Sequence, residues 1–186
     1  MESEKSILSG GIGVKIKIFR MMRNYKFDDL AGNIGIDPRH LRRAELGQVS
    51  LSSFTLFKIS QVLEMPIGDF FEPCLTIAAS EFFPNYGKFE LRQTDTKKYY
   101  WVLTDQNQHL ILISKFFAAK EKCQQSIKES RHYFDSYHLV PKKSRGEEYY
   151  FVQKNQETCM AYGLFLGSLE ANKSIISNLL VNLKLP

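Results

Sequence analysis

Apolar residues recur every three or four positions in two parts of the N-terminal region, residues 12–23 and 54–63. This spacing predicts amphipathic helices that each bury one face. Between them, residues 26–47 have the pattern of two short helices joined by a glycine turn, which is the helix-turn-helix arrangement. With a last short turn over residues 67–71, the pattern predicts an all-α bundle of four to five helices.

The residue types at the ends of the second motif helix support this prediction. Gly35 suits a turn that needs a positive φ. Asp37 is a favoured N-cap, and Pro38 is favoured at the first helical position. Gly47 is expected to end the helix. A short helix with defined ends is therefore predicted between these residues.

From about Pro84 the chain changes to alternating apolar and polar residues with aromatic clusters, which predicts β-strands. A self-comparison shows an internal repeat, in which residues 99–101 (YYW) correspond to residues 149–151 (YYF). Each copy has the order strand, strand, strand, helix. The predicted elements are Lys88–Arg92, Tyr99–Leu103, Leu110–Ser114 and Ala118–Ser130, then Tyr137–Val140, Tyr149–Gln153, Thr158–Tyr162 and Ser168–Leu183. We expect each helix to cover a three-stranded antiparallel sheet.

The sequence therefore predicts the α+β fold class, with an N-terminal all-α helix-turn-helix bundle and then an α+β domain of two β-β-β-α repeats. Four segments are expected in order: a flexible arm over residues 1–11, the helix-turn-helix domain over 12–73, a linker over 74–83, and the tandem-repeat domain over 84–186. The tandem-repeat domain is expected to serve dimerisation or sensing.

Residues 12–71 resemble the lambda-repressor-like (Xre-type) DNA-binding domain. The matching features are Ile16, Phe19-Arg20, Leu30-Ala31, Gly35-Ile36, Leu41, Glu45, Gly47, Thr55-Leu56, Ile59, Leu63 and Asp69-Phe70-Phe71. The resemblance implies that the second motif helix enters the major groove of DNA, where its first turn and one face reach base edges. It also implies a structural ion pair between Arg20 in the first helix and Glu45 at the end of this recognition helix.

The expected DNA face of the recognition helix carries Arg39, Arg42 and Arg43. The planar fork of arginine can bond guanine O6 and N7 together, which contributes about 1–3 kcal/mol of discrimination per contact. Pro38 has no side-chain donor and stands where the family often has a base-reading glutamine, so specificity is expected to rest on the arginines. The alternative for each arginine is a solvated surface that contacts phosphates only.

Further DNA contacts are expected around the motif. Lys26 stands close to where the family usually has a phosphate contact, and His40 is either a phosphate contact or a surface histidine. Gln48 and Ser50 can donate hydrogen bonds to phosphates from the loop after the helix. Lys15 in the first helix is expected to point outward, towards solvent or phosphate.

The repeat region resembles the small YegP-type repeat family. The first copy carries the matching residues Trp101, Asn107-Gln108, Ser114, Phe117, Lys120, Cys123 and Ile127, and the second copy diverges more. The resemblance implies an architecture, a paired β-β-β-α module, and brings no established chemistry to these residues.

Charge and cysteine content add little to this picture. The net charge of +5 and the pI near 9.0 favour a polyanionic partner, but they agree equally well with a basic protein that binds no nucleic acid. Cys74, Cys123 and Cys159 have no metal-ligand spacing and are expected to be reduced thiols. No apolar run is long enough for a signal peptide or a membrane span, so we expect a cytoplasmic, nucleoid-associated protein without membrane contact.

One cluster, His132, Asp135 and His138, has side chains that can bind a transition metal. The segment is expected to turn from a helix into a strand, which would scatter the three side chains. No glycine-rich phosphate loop or nucleophile motif is found in the sequence. We therefore expect no enzymatic activity, no cofactor and no metal.

The sequence as a whole predicts a sequence-specific DNA-binding transcriptional regulator. Its expected partners are double-stranded DNA and a second copy of the chain, with the repeat domain as the main dimer contact. A protein partner or a small effector is a further candidate for that domain. The alternative is an antitoxin-type autoregulator whose C-terminal domain binds a partner protein, and a third class is an enzyme with an appended DNA-binding domain.

Overall fold

The computed structural model describes residues 4–73, 87–143, 149–155, 158–165, 167–183 and 185, with the side chains of residues 4–10, 149 and 182 left aside. The chain forms two compact units, one of residues 1–72 with 94–96 and one of residues 73–93 with 97–186. Helices make up the first and a sheet with helices the second, so the predicted α+β class is confirmed. The expected linker over 74–83, with Cys74, lies outside the described residues.

The first unit is helical. Helix α1 spans Glu4–Met22, α2 Phe27–Ile34, α3 Pro38–Glu45 and α4 Ser53–Leu63, followed by a 3-10 helix over Ile67–Phe70. Helix α1 starts earlier than predicted, and residues 4–11 are helical where a flexible arm was expected. Gly10 and Gly11 do not end it, because a glycine inside a helix costs only about 1 kcal/mol relative to alanine.

The core of the first unit lies where the apolar faces of these helices meet. Phe19 of α1 and Phe70 of the 3-10 helix are fully buried and pack edge to face, with ring centroids 5.1 Å apart. Gly13 permits a close approach of α1 to α3, since an added Cβ at this position would collide with the carbonyl oxygen of Ala44. Helix α3 is thereby held against the bundle by its inner side.

The second unit is built on a six-stranded antiparallel sheet in the order β1-β2-β3-β6-β5-β4. The strands are β1 Lys88–Gln93, β2 Tyr99–Thr104, β3 Leu110–Ser114, β4 Leu139–Lys143, β5 Tyr149–Asn155 and β6 Thr158–Gly163, and the helices are α5 Lys120–His132 and α6 Leu169–Asn182. The three strands of each repeat are neighbours, as predicted, but the two sets of three are parts of one sheet. Strands β3 and β6 pair, with Ile113 opposite Tyr162, and join the two repeats into one sheet.

One face of this sheet is covered by the two helices. Helix α5 packs on β1 and β2, and α6 packs on β4 and β5. Trp101 is fully buried there, and its Nε1–H donates to the Ser126 hydroxyl of α5 at 3.1 Å. The ring of Phe151 lies over Gly163, where any side chain would collide with it. None of the described helices combines the length and the apolarity that crossing a bilayer requires.

Candidate nucleic-acid interface

The turn between α2 and α3 is set by glycine and by a side-chain cap. Gly35 has φ 75°, a left-handed conformation that costs glycine little, and the next amide, that of Ile36, donates to the Ala31 carbonyl at 3.0 Å. Asp37 then caps α3, because its Oδ1 accepts the Arg39 amide at 2.6 Å. The predicted start of the helix at Pro38 is confirmed.

Helix α3 divides sharply into a buried side and an exposed side. Leu41, Ala44 and Glu45 are buried. At about 100° per residue, the exposed residues fall on a single arc of about 140°. This arc, called the α3 arc below, consists of Pro38, Arg39, Arg42, Arg43 and Leu46.

The α3 arc is basic and has no carboxylate of its own. In the described parts of the chain, the guanidinium groups of Arg39, Arg42 and Arg43 form no hydrogen bond or ion pair. Leu46 is 43% exposed beside them. Three forked donors are therefore available to an external acceptor on one side of one helix.

An ion pair fixes the inner side of α3 to α1. Arg20 Nε lies 2.6 Å from Glu45 Oε1, and Arg20 Nη2 lies 3.0 Å from Glu45 Oε2, so both arms of the guanidinium are used. The pair is buried, with side-chain exposures of 8% and 1%. Arg20 also donates to the Tyr25 carbonyl at 3.0 Å and lies 4.1 Å from the ring centroid of Phe27. This arrangement contains the pair that the family resemblance implies.

The other sequence-predicted contacts flank the α3 arc in the chain. Gln48 and Ser50, in the loop after α3, are exposed, and His40 is half-buried. Lys26 is exposed at the N-cap of α2, where its own amide donates to Asp29 Oδ2 at 3.4 Å. A phosphate near this end would meet one cation and two acidic side chains, because Asp28 is exposed as well.

The structure corrects the sequence prediction for Lys15. It is 1% exposed instead of pointing outward, and its Nζ donates to the carbonyl oxygens of Phe70, at 3.0 Å, and of Glu72. Carbonyl groups at a helix end lack intrahelical partners, and a buried lysine that supplies the donors is a physical reason for its position. Lys15 is therefore a structural residue and does not form part of the interface.

Helix α4 exposes two aromatic residues, as its sequence indicates, because residues 54–63 carry more apolar side chains than one buried face of a small bundle requires. Phe54 is 66% exposed and Phe57 is 49% exposed. Their spacing gives a signal, because positions three apart share one face of a helix and Ile59 and Leu63 occupy the opposite, buried face. We call these two side chains the α4 aromatic pair.

The His132, Asp135 and His138 cluster does not converge as a metal site. His138 Nδ1 hydrogen-bonds Asp135 Oδ1 at 2.7 Å, whereas the His132 ring packs on Tyr133 with centroids 5.0 Å apart. Over the described residues, no group of three or more His, Cys, Asp or Glu side chains could hold a metal ion.

Comparison with known proteins finds likeness to solved structures only. No protein-family model and no curated protein matches the chain. The protein of unknown function yegP from E. coli is similar to the C-terminal half, with 19% identity, a TM-score of 0.46, and coverage of 53% of this chain and 91% of that one.

Two regulators are similar to the N-terminal part. The clp gene regulator ClgR from Corynebacterium glutamicum has 24% identity and a TM-score of 0.33, and the similar region covers 34% of this chain and 67% of the ClgR chain. An HTH_3 family transcriptional regulator from Vibrio cholerae has 22% identity and a TM-score of 0.35, with coverage of 58% and 64%.

Proposed function

We propose that the protein is a sequence-specific DNA-binding transcriptional regulator and that the α3 arc is its DNA-reading surface. The observation that carries this proposal is the combination of two features of α3. Three guanidinium groups on one exposed arc have no partner among the described residues, and a buried ion pair fixes the opposite side of the same helix. A rigidly held helix with forked donors matches the acceptor pattern of the major groove.

The dimensions of α3 agree with this role. The major groove of DNA is about 12 Å wide and admits one helix. Helix α3 has eight residues and is about 12 Å long, so only a few base pairs can be reached from it. Arg39, in the first turn, and Arg42 and Arg43, one turn later, are the expected base-reading residues, and guanine is the expected base.

The surrounding residues are assigned to the DNA backbone. Lys26, His40, Gln48 and Ser50 are exposed or half-buried near the ends of the motif helices. Contacts of this kind position a protein on the duplex and carry no sequence information directly. They are expected to add affinity that falls as the salt concentration rises.

The test begins with selection of DNA bound by the purified full chain, followed by affinity measurements on the selected site and on random DNA. Replacing Arg39 or Arg43 by alanine should weaken binding to the selected site by about 1–3 kcal/mol and relax the preference at one base position each. Lys26→Ala should weaken both DNAs alike and reduce the salt dependence by about one unit of slope.

Lys128→Ala is a matched control, because it removes an exposed cation from α5 and leaves the α3 arc intact. It should leave the preference for the selected site unchanged. If the arginine variants lost the same affinity for the selected site and for random DNA, base reading by these residues would be refuted and only phosphate contact would remain.

A further inference from the structure

The second unit contains an open cavity of about 630 Å³ beside α5. One wall is formed by α5 itself and the other by the ends of β3, β5 and β6. This volume lies in the range of about 300–1,000 Å³ that small-molecule sites occupy. All the residues that line the cavity belong to the second unit.

Charged side chains of both signs line this cavity. Lys122 and Glu129 stand seven positions apart on the α5 wall, which corresponds to about 10 Å along the helix axis. Lys122 forms no hydrogen bond or ion pair within the described part of the chain, and Glu129 receives one weak hydrogen bond, from Gln125 Nε2 at 3.3 Å. A cation and an anion with largely unused bonding capacity therefore lie about two helical turns apart on the same side of α5.

Ser126 of α5 and the residues on the sheet side of the cavity add a hydrogen-bond donor, an apolar surface and an amide. Ser126 is 6% exposed and its Oγ accepts the Trp101 Nε1–H, while its own hydroxyl proton finds no acceptor among the residues that the structure describes. Phe117 and Met160 add an apolar surface on the sheet side, and Asn155 adds an amide. The cavity thus offers an unused buried donor next to apolar side chains and between opposite charges.

We infer that this cavity binds a short peptide of three residues with free termini. An extended tripeptide is about 10 Å long, so its carboxylate can pair with Lys122 while its ammonium group pairs with Glu129. One of its peptide carbonyl groups can accept a hydrogen bond from the Ser126 hydroxyl, and its apolar side chain can pack on Phe117 and Met160.

Other ligand classes fit this cavity poorly. Two lysines, Lys115 and Lys122, and two glutamates, Glu121 and Glu129, line the cavity, so it has no net positive charge to attract a nucleotide or another phosphate-rich anion. A sterol would leave both Lys122 and Glu129 without partners, and a fatty acid could pair its one carboxylate with a lysine but would leave Glu129 without a partner. A single amino acid has its two charges too close together to meet both Lys122 and Glu129.

The inference goes beyond DNA binding and is tested without DNA. The probe is the tripeptide alanyl-leucyl-alanine, titrated calorimetrically into the full chain, with its N-acetylated and its C-amidated forms and free L-leucine as comparisons. The unblocked tripeptide should bind. Each blocked form should bind about three- to tenfold more weakly, because it loses one charged hydrogen bond in a solvent-open site.

Variants of α5 then locate the binding site. Lys122→Ala and Glu129→Gln should each weaken the tripeptide by about three- to tenfold. The matched controls Lys128→Ala, an exposed lysine on α5 outside the cavity, and Glu170→Gln, an exposed glutamate of α6, should bind like the parent. Circular dichroism confirms that each variant is folded.

Three results would overturn the inference: no heat of binding from the unblocked tripeptide, equal binding of the end-blocked forms, or undiminished binding by both cavity variants. None of them bears on the α3 arc, since DNA binding is measured separately. Failure of the DNA experiment would equally leave this ligand site unaffected.

Discussion

At the scale of single residues, Cys123 shows how burial sets chemistry in this protein. Cys123 is a residue of α5, and its thiol is fully buried in the core on the inner side of this helix. Burial raises the pKa of Cys123 from an ordinary 9.0 to about 11, because the thiolate would lose its hydration. The native state therefore keeps a proton that the unfolded chain releases between these two values.

The sign of the resulting pH dependence follows from this difference in bound protons. The contribution of Cys123 to the free energy of unfolding should be fully present below pH 9 and be lost as the pH rises towards 11, by up to about 3 kcal/mol. Urea unfolding of the parent and of Cys123→Ala over pH 7–11 checks this. The stability gap between the two proteins should narrow with rising pH.

Part of the loss of stability at high pH should remain in the Cys123→Ala variant. The pKa values of Tyr150, Cys159 and Tyr162 are also raised, mainly by burial, and these groups destabilise the native state in the same direction. The contribution of Cys123 is the difference between the two curves. Stability curves that run parallel from pH 7 to 11 would show that the thiol titrates alike in both states.

Rules about single residues predicted the helix cap and the turn of the candidate site, but they missed a hydrogen bond between residues that are far apart in the chain. The Asp37 cap, Pro38 and the Gly35 turn depend on neighbours within a few positions, and the sequence shows all of them. Lys15 was misplaced, because the carbonyl oxygen of Phe70 that it meets lies 55 positions away. Local periodicity contains no information about such a partner.

At the scale of secondary-structure elements, the contact between α1 and α3 determines how the α3 arc is presented. Arg20 and Glu45 join the two helices with both arms of the guanidinium. A buried charge that loses its partner is far more costly than the net contribution of the intact pair. The position of α3 should therefore depend strongly on this ion pair, in addition to the packing of its buried side.

Removal of the carboxylate tests this dependence. Glu45→Ala should destabilise the first unit by about 3–5 kcal/mol, because Arg20 remains buried without its partner. Glu64→Ala, at the more exposed pair with Arg23, should cost about 1 kcal/mol or less, since its side chain is 31% exposed. Thermal and urea unfolding measure both variants, and the loss of DNA affinity by Glu45→Ala should track unfolding. A Glu45→Ala variant that unfolds like the parent and still fails to bind DNA would place Glu45 at the interface.

Most elements of the repeat unit were predictable to within about two residues, because each strand and helix has its own local period. Strand β4 begins later than predicted because of a side-chain hydrogen bond. It begins at Leu139, not at Tyr137, because the amides of Tyr137 and His138 donate to Asp135 Oδ1 at 2.8 and 3.1 Å in a turn. The pairing of β3 with β6 could not be predicted, since the register between two distant strands leaves no local pattern.

At the scale of the whole molecule, the joined sheet alters where a second copy of the chain can dock. The repeat domain was the expected dimer contact because each repeat was thought to expose its own sheet edges. In the described sheet only β1 and β4 are outermost. Charged side chains alternate along β1, and Pro141 with two lysines occupies β4. Such residues are characteristic of edges that resist pairing with another sheet.

The α4 aromatic pair is the better candidate for a dimer contact. Phe54 and Phe57 are large apolar side chains that remain 66% and 49% exposed. One reader of this size buries only about 600–1,000 Å² on DNA, which favours a second reader for operator affinity. A two-fold dimer is the commonest oligomer and would place two α3 arcs about 34 Å apart on one DNA face, or a multiple of that distance.

We therefore expect the full chain to form a homodimer through α4 and its operator to be an imperfect palindrome. Light scattering should give a mass of twice the 21.5 kDa of one chain. Replacement of both Phe54 and Phe57 by glutamate should produce a monomer, because two carboxylates at a buried contact would be desolvated and repel those of the partner copy. Tyr137→Glu, at a residue 87% exposed in the repeat unit, is the matched control and should leave the dimer intact. A parent protein that is monomeric and binds a single half-site at full affinity would end the dimer proposal, and dissociation by Tyr137→Glu alone would move the contact to the repeat unit.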